Sequence, residues 1–197
     1  MPSSPHRTGL PDGQLSERDA EVIRFIEEED LAAFTFEGLR RKLGTHSETL
    51  SRILHRLEEQ SVLERAEDGY HVTPKGKELM GPRPISAAQH RMPILRTLLP
   101  NGQYPRDVIA SLKGRWFGPL RWLGYSEDES GTTMKWVTED GAVQIDAIFS
   151  DGELAIEGNV KEGKDLTEAI KASYQLVGFL SRVHPVPAGR VAFFPAN

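Results

Sequence analysis

The chain has 197 residues, 38% hydrophobic and 27% charged, with a formal net charge of −5; that is ordinary globular material, with room for one large or two small cores. The absence of cysteine excludes disulfides, thiol catalysis and cysteine-bearing zinc sites. No run reaches the roughly 18 apolar residues of a membrane span and the opening MPSSPHRTGLPDGQ lacks a signal-peptide core, so a cytoplasmic protein with no membrane partner is expected.

Residues 1–14 read as a flexible tail. An acidic total argues against coating nucleic acid through bulk charge, but the charge is uneven. From Gly38 to Arg83 nine Lys/Arg stand against seven Asp/Glu, a local +2, while Glu27-Glu28-Glu29-Asp30 concentrates acid.

The first helix starts at a Ser16 cap, with Asp19 as a capping-box variant and Leu15 as a staple to Ala20. Val22, Ile23 and Ile26 supply its buried stripe. Leu31-Ala32-Ala33-Phe34 follows as a short apolar strand or loop. Thr35 caps a second helix, Phe36 to Leu43, which Gly44 ends. Thr45 then starts a third, Thr45-x-x-Glu48 fitting the capping box. Leu50, Ile53, Leu54 and Leu57 form its core side; the opposite arc carries Glu48, Arg52, His55 and Glu59, flanked by Ser51 and Arg56. Val62 to Arg65 and Tyr70 to Thr73 make a hairpin through Glu67-Asp68-Gly69, and Pro74 begins another helical turn. A short helix, a tight glycine turn and a polar-faced helix is the layout in which the last helix enters a major groove.

The segment SETLSRILHRLEEQSVLERAEDGYHVTPKGKEL resembles the MarR-like winged helix-turn-helix of bacterial and archaeal transcription regulators, over about a third of the chain. The likeness rests on the order of its parts: a Ser/Thr-rich helix start, Arg52, Leu57-Glu58, Arg65 on the wing and the Thr73-x-Lys75-Gly76 close. It implies double-stranded DNA binding as a homodimer. Base contacts would come from Ser47, Glu48, Ser51 and Arg52, and backbone contacts from Thr45, Arg56 and Arg65; His55 lies on the same arc. The chemistry suits this, since arginine grips guanine O6 and N7 and a carboxylate accepts from cytosine N4. The plain alternative is that Glu48 and Arg52 are an i,i+4 ion pair on a solvated helix. The acidic wing residues Glu64, Glu67 and Asp68 would better suit a protein-binding adaptor.

Gly81-Pro82-Arg83-Pro84 marks a boundary, giving residues 81–104 as linker and connecting helix, the helix running from Ala87 to Leu99 with Pro93 kinking it. Pro105 to Lys113 reads as a short helix, and Trp116 to Trp122 as strand or loop. Asp140-Gly141 and Asp151-Gly152 are two-residue hairpin signals. With both turns tight, one face collects Thr132/Phe149/Leu154, Met134/Ala147/Ile156, Trp136/Ile145/Gly158 and Thr138/Val143/Val160. The other collects Val137/Gln144/Asn159 and the row Lys135/Asp146/Glu157; a one-residue slip would mix the faces. Asp165 caps a helix to about Val183 with Leu166, Ile170, Tyr174, Val177 and Leu180 on one stripe. Pro185 and Pro187 stop it, and Arg190 to Phe194 is a final strand.

Three strands, a helix and a strand with Asp146 and Glu157 on the middle strands resembles the PD-(D/E)xK nuclease core, over about 65 residues. The resemblance implies Mg or Mn at Asp146 and Glu157 and phosphodiester cleavage. The family's lysine should stand two residues beyond the second acid, where this chain has Asn159; Lys161 and Lys135 are the substitutes at hand. Two opposed carboxylates repel, and a divalent cation would relieve that, but so would Lys135 in the same row, as a charge ladder on a solvated face. The ladder is preferred, with no catalytic or metal residue assigned and the nuclease-like module serving dimerisation or ligand sensing.

The expected fold is therefore α+β: a winged helix-turn-helix at 15–80, and at 105–197 an α/β domain of a three-stranded antiparallel meander, a long helix and a final strand. The expected function is a sequence-specific DNA-binding transcription regulator, with a small-molecule effector as a further partner. The alternatives are a metal-dependent DNA nuclease and a winged-helix adaptor.

Overall fold

A computed structural model of the chain describes residues 17–80, 91–98, 106–129, 131–150, 152–164, 167–183 and 191–193. The expectations for the N-terminal tail, Leu15 and Ser16, the prolines at 82 and 84, the Asp165 cap and Pro185 and Pro187 lie outside the described residues. The N-terminal part is α1 (Glu17–Glu28), β1 (Ala33–Phe34), α2 (Phe36–Leu43), α3 (Ser47–Glu59), β2 (Leu63–Ala66), β3 (Gly69–Val72) and α4 (Pro74–Met80). After it come β4 (Met92–Leu98), α5 (Arg106–Leu112), β5 (Leu120–Asp128), β6 (Gly131–Thr138), β7 (Val143–Ser150), β8 (Glu153–Val160), α6 (Thr167–Val183) and β9 (Val191–Phe193).

These strands correct the expected fold class. The chain is not a winged helix-turn-helix followed by a domain around a three-stranded meander. Among the described residues one nine-stranded sheet runs in the order β2-β3-β1-β5-β6-β7-β8-β4-β9, every neighbouring pair antiparallel. The reason lies in the two-residue strand β1, which uses both of its edges: Ala33 pairs with His71 of β3 on one side and with Tyr125 of β5 on the other. The meander has four strands because the unassigned aromatic segment continues into β5. The helix expected from Ala87 to Leu99 is, over the described residues, strand β4. Pro93 has no amide to donate to a helix or a ladder, and the register shifts between Pro93 and Leu95.

The register expected for β6, β7 and β8 is the observed one. Thr132 pairs with Phe149 and Phe149 with Leu154, and Lys135, Asp146 and Glu157 form one row. Successive strand residues alternate faces, so the central strands serve two cores. Met134, Trp136, Ile145, Phe149 and Ile156 pack with Leu112 of α5 and with Ala169, Ala172, Leu176 and Leu180 of α6. On the other face Leu123 and Val137 join Val22, Ile26, Leu39, Leu50, Ile53, Leu54 and Leu57 of the first three helices. Fully burying one such side chain contributes about 1.5–3 kcal/mol, so neither helical layer can lift off without exposing several. The stripe expected on α6 is displaced, since its buried residues include Ala172, Ser173 and Leu176 while Tyr174 is exposed.

Candidate nucleic-acid interface

Helix α2 is started by Thr35, whose side chain accepts from the Gly38 amide at 3.1 Å. It is ended by Gly44 in the left-handed region (φ 64°), whose amide bonds Arg40 O. The expected Thr45 capping box does not form: His46 holds the N-cap position of α3, without a side-chain cap bond. Leu50, Ile53, Leu54 and Leu57 are buried, and the helix ends with Ser61 at φ 58° and Val62 N bonded to Leu57 O at 2.9 Å, the Schellman pattern without a glycine.

That anchoring leaves the other side of α3 outside. Ser47, Glu48, Ser51, Arg52, His55 and Glu59 are exposed, Thr45 is half-buried, and Arg65 is exposed on the β2–β3 hairpin beside it. The structure therefore brings Ser47, Glu48, Ser51, Arg52 and His55 onto one open face. Arg52 Nη2 lies 2.5 Å from Glu48 Oε1, with both side chains about two-thirds exposed (71% and 67%). His55 sits 3.5 Å from Glu59 Oε1 and 3.9 Å from Glu58 Oε2. Arg56 is differently engaged: its guanidinium bonds the Asp19 carboxylate, buried on α1. It is thus held against the protein, not presented to a phosphate.

The face is not basic. At the hairpin tip Glu64, Glu67 and Asp68 are exposed. A hydrogen bond with His71, 2.7 Å away, is the main reason that the Asp68 carboxyl is held below its ordinary range. In α2, Arg40 and Arg41 pair with Glu37, and Arg41 also with Glu139.

The second expected site turns out to be closed. Lys135 and Asp146 are buried (1% and 2% exposed), so the row is not a ladder on a solvated face: the N-terminal helical layer covers it. Lys135 Nζ lies 3.0 Å from Asp146 Oδ2 and 3.1 Å from Glu29 Oε2. Gln144 Nε2 donates to Glu29 Oε2 and Asp146 Oδ1, both at 2.9 Å. Arg91 bonds Glu29 at 2.9 Å and also bonds Asp146. Burial alone would push the Asp146 carboxyl up. The charges of Lys135 and Arg91 and the hydrogen bonds from Gln144 and Lys135 outweigh it, and the net direction is below the ordinary carboxylate value.

Glu157 is half-buried opposite Asp146, and Lys161 is exposed, its amide bonded to Ala142 O at the start of β7. The carboxylates of Glu29, Asp146 and Glu157 stand among the cations of Lys135, Arg91 and Lys42, and both Asp146 oxygens are taken. These residues do not fit a divalent cation. Among the described residues no group of three His, Asp or Glu is placed to hold a metal.

Sequence reasoning missed Glu29, Arg91 and Gln144 here, and Asp19 behind Arg56. Two of the four had a signal. Asp19 and Glu29 fall on the helical stripe of Val22 and Ile26, where a carboxylate must find a buried partner.

No protein-family model matches this chain, and no curated protein matches it significantly.

Proposed function

We propose that this protein reads double-stranded DNA in a sequence-specific manner, as a transcription regulator, through the outer face of α3. One observation carries the reading: Ser47, Glu48, Ser51, Arg52 and His55 stand together in solvent, on a helix whose opposite side is locked into the core. A rigid helix with a hydroxyl-, carboxylate- and guanidinium-bearing edge supplies the groups that read base edges in the major groove, and Arg65 on the hairpin is available to a phosphate. A homodimer would set two such helices on half-sites about one helical turn apart. Since the face sets Arg52 and Arg65 against Glu48, Glu59, Glu64, Glu67 and Asp68, affinity would rest on base contacts more than on counterion release.

Selection from a random duplex library tests this, followed by anisotropy titration of the enriched duplex across salt concentrations. The expected result is a two-fold-related motif, with a log–log salt slope shallower than that of repressors making 6–10 phosphate contacts, whose affinity falls about 10³–10⁵-fold between 50 and 200 mM salt. No enrichment, with no binding at low salt, would remove the reading. In that event the acidic hairpin tip of Glu64, Glu67 and Asp68 favours a basic protein surface as the partner.

A further inference from the structure

We propose that a groove between residues 115–118 and α6 is a binding site for a nucleoside monophosphate, a flat ring carrying a dianionic group. The groove has a volume of about 450 Å³, and its walls include Arg115, Trp116, Tyr174, Gly178, Phe179 and Arg182. That volume is typical of small-molecule sites and far more than a bare anion needs.

Trp116 is the most exposed large apolar residue described, at 64%, yet it is held in place. The Arg121 guanidinium lies 4.3 Å from its ring centroid, and Arg121 is itself fixed by donating to Gly118 O at 3.0 Å and by Glu139 at 3.4 Å. Cation–π attraction of this kind fixes a ring's orientation. An exposed ring so held is a stacking platform. On the opposite wall Phe179 carries the Arg115 guanidinium at 4.5 Å. The Arg115 Nε donates to Ser111 O at 2.5 Å, and its own carbonyl accepts from Trp136 Nε1 at 2.8 Å.

Gly178 is an independent sign. In the middle of a 17-residue helix a glycine costs about 1 kcal/mol relative to alanine. A Cβ built there would meet nothing within 4 Å, so packing does not demand the glycine. Its effect is to keep the groove wall open.

Charge decides the ligand class. Among the described residues, two guanidinium groups and no carboxylate line the groove. A phosphate dianion carries the charge and the acceptor oxygens to engage both guanidinium groups at once. The exposed ring of Trp116 takes the base by stacking. The groove lies on the α5–α6 face of the sheet, away from α3, so it stands on observations separate from the DNA-binding reading.

Calorimetric titration of the full chain with AMP and UMP is the test, with adenosine and inorganic phosphate as half-ligands. Both nucleotides should bind, and each half-ligand should bind at least about tenfold more weakly. Gly178→Leu, which fills open space on a helix that tolerates it, should abolish nucleotide binding without lowering Tm. Arg182→Gln should weaken AMP by about tenfold and leave adenosine unchanged. Absence of AMP and UMP binding at millimolar concentration, or full binding by Gly178→Leu at unaltered Tm, would overturn the proposal.

Discussion

The ammonium of Lys135 on β6 lies 3.1 Å from the carboxylate of Glu29, 106 residues earlier in the chain. The contact joins the end of α1 to the middle of the sheet. It exists because α1 closes with Asp30 in the left-handed region (φ 50°) and Leu31 N bonded to Ile26 O at 3.0 Å, which turns Glu29 inward. Removing one partner of a buried ion pair costs about 3–5 kcal/mol, because the other charge stays behind without compensation. Lys135→Met is therefore expected to destabilise by about that amount in urea titration, with part of the loss recovered in Lys135→Met/Glu29→Gln. A change under about 1 kcal/mol in the single variant would show that Arg91 and Lys42 suffice to neutralise both carboxylates.

The same cluster sets an acid limb. Asp146 has a folded-state pKa below its ordinary value, which for a free aspartate is about 3.9. Between those two values the unfolded chain binds more protons than the folded one, so stability falls as pH drops. Its contribution is complete above about pH 4 and is lost as pH falls through the folded pKa. Asp140 adds to the limb: hydrogen bonds from Thr138 and Lys164 and from the Ala142 amide hold it down. Urea midpoints of the parent should fall below about pH 4, and more shallowly in Asp146→Asn and Asp140→Asn. Equal slopes in all three proteins would assign the limb to other groups.

Gly38 reports on how the helical layer is seated. A Cβ there would stand 2.6 Å from Leu123 Cα and 2.8 Å from Trp122 O, and backbone atoms of a central strand cannot give way. Gly38→Ala should cost about 1–3 kcal/mol through overpacking. The two cores share one sheet, so the loss should lower the tryptophan-fluorescence and far-ultraviolet midpoints together, as one cooperative unit requires. Trp122 and Trp136 belong to the core on the α6 face. An unchanged tryptophan transition would mean that the two faces unfold separately.

Local patterns were legible in the sequence wherever a turn fixed the geometry. Asp140-Gly141 set the β6–β7 register, and alternation then told which residues of β6 to β8 share a face. Alternation could not tell what covers each face. Lys135, Asp146 and Glu157 read as a row on a solvated face because Glu29, which meets Lys135 there, stands 106 residues earlier. The fusion of the sheet was invisible for a similar reason, since a two-residue strand such as β1 carries no periodicity. Residues 92–98 misled because a short apolar run fits helix and strand alike; Pro93 was the discriminating residue. On α3 the exposed arc was readable, but the different partners of its two arginines were not, because Asp19 arrives from another helix.

That difference between the arginines is the sharpest test of the interface. Arg52 pairs with Glu48 in solvent, and an exposed i,i+4 pair contributes about 0.3–0.5 kcal/mol. Arg52→Ala should barely alter stability, yet weaken binding to a selected duplex by about 1–3 kcal/mol and relax preference at one base position. Arg56 meets a buried carboxylate from a partly exposed position (side chain 38% exposed), so Arg56→Ala should instead cost about 1–3 kcal/mol of stability. Its specificity should be retained by the folded fraction. Anisotropy on selected and scrambled duplexes, with urea titration of each variant, separates the two effects. Unaltered discrimination by Arg52→Ala would remove this residue from the reading face.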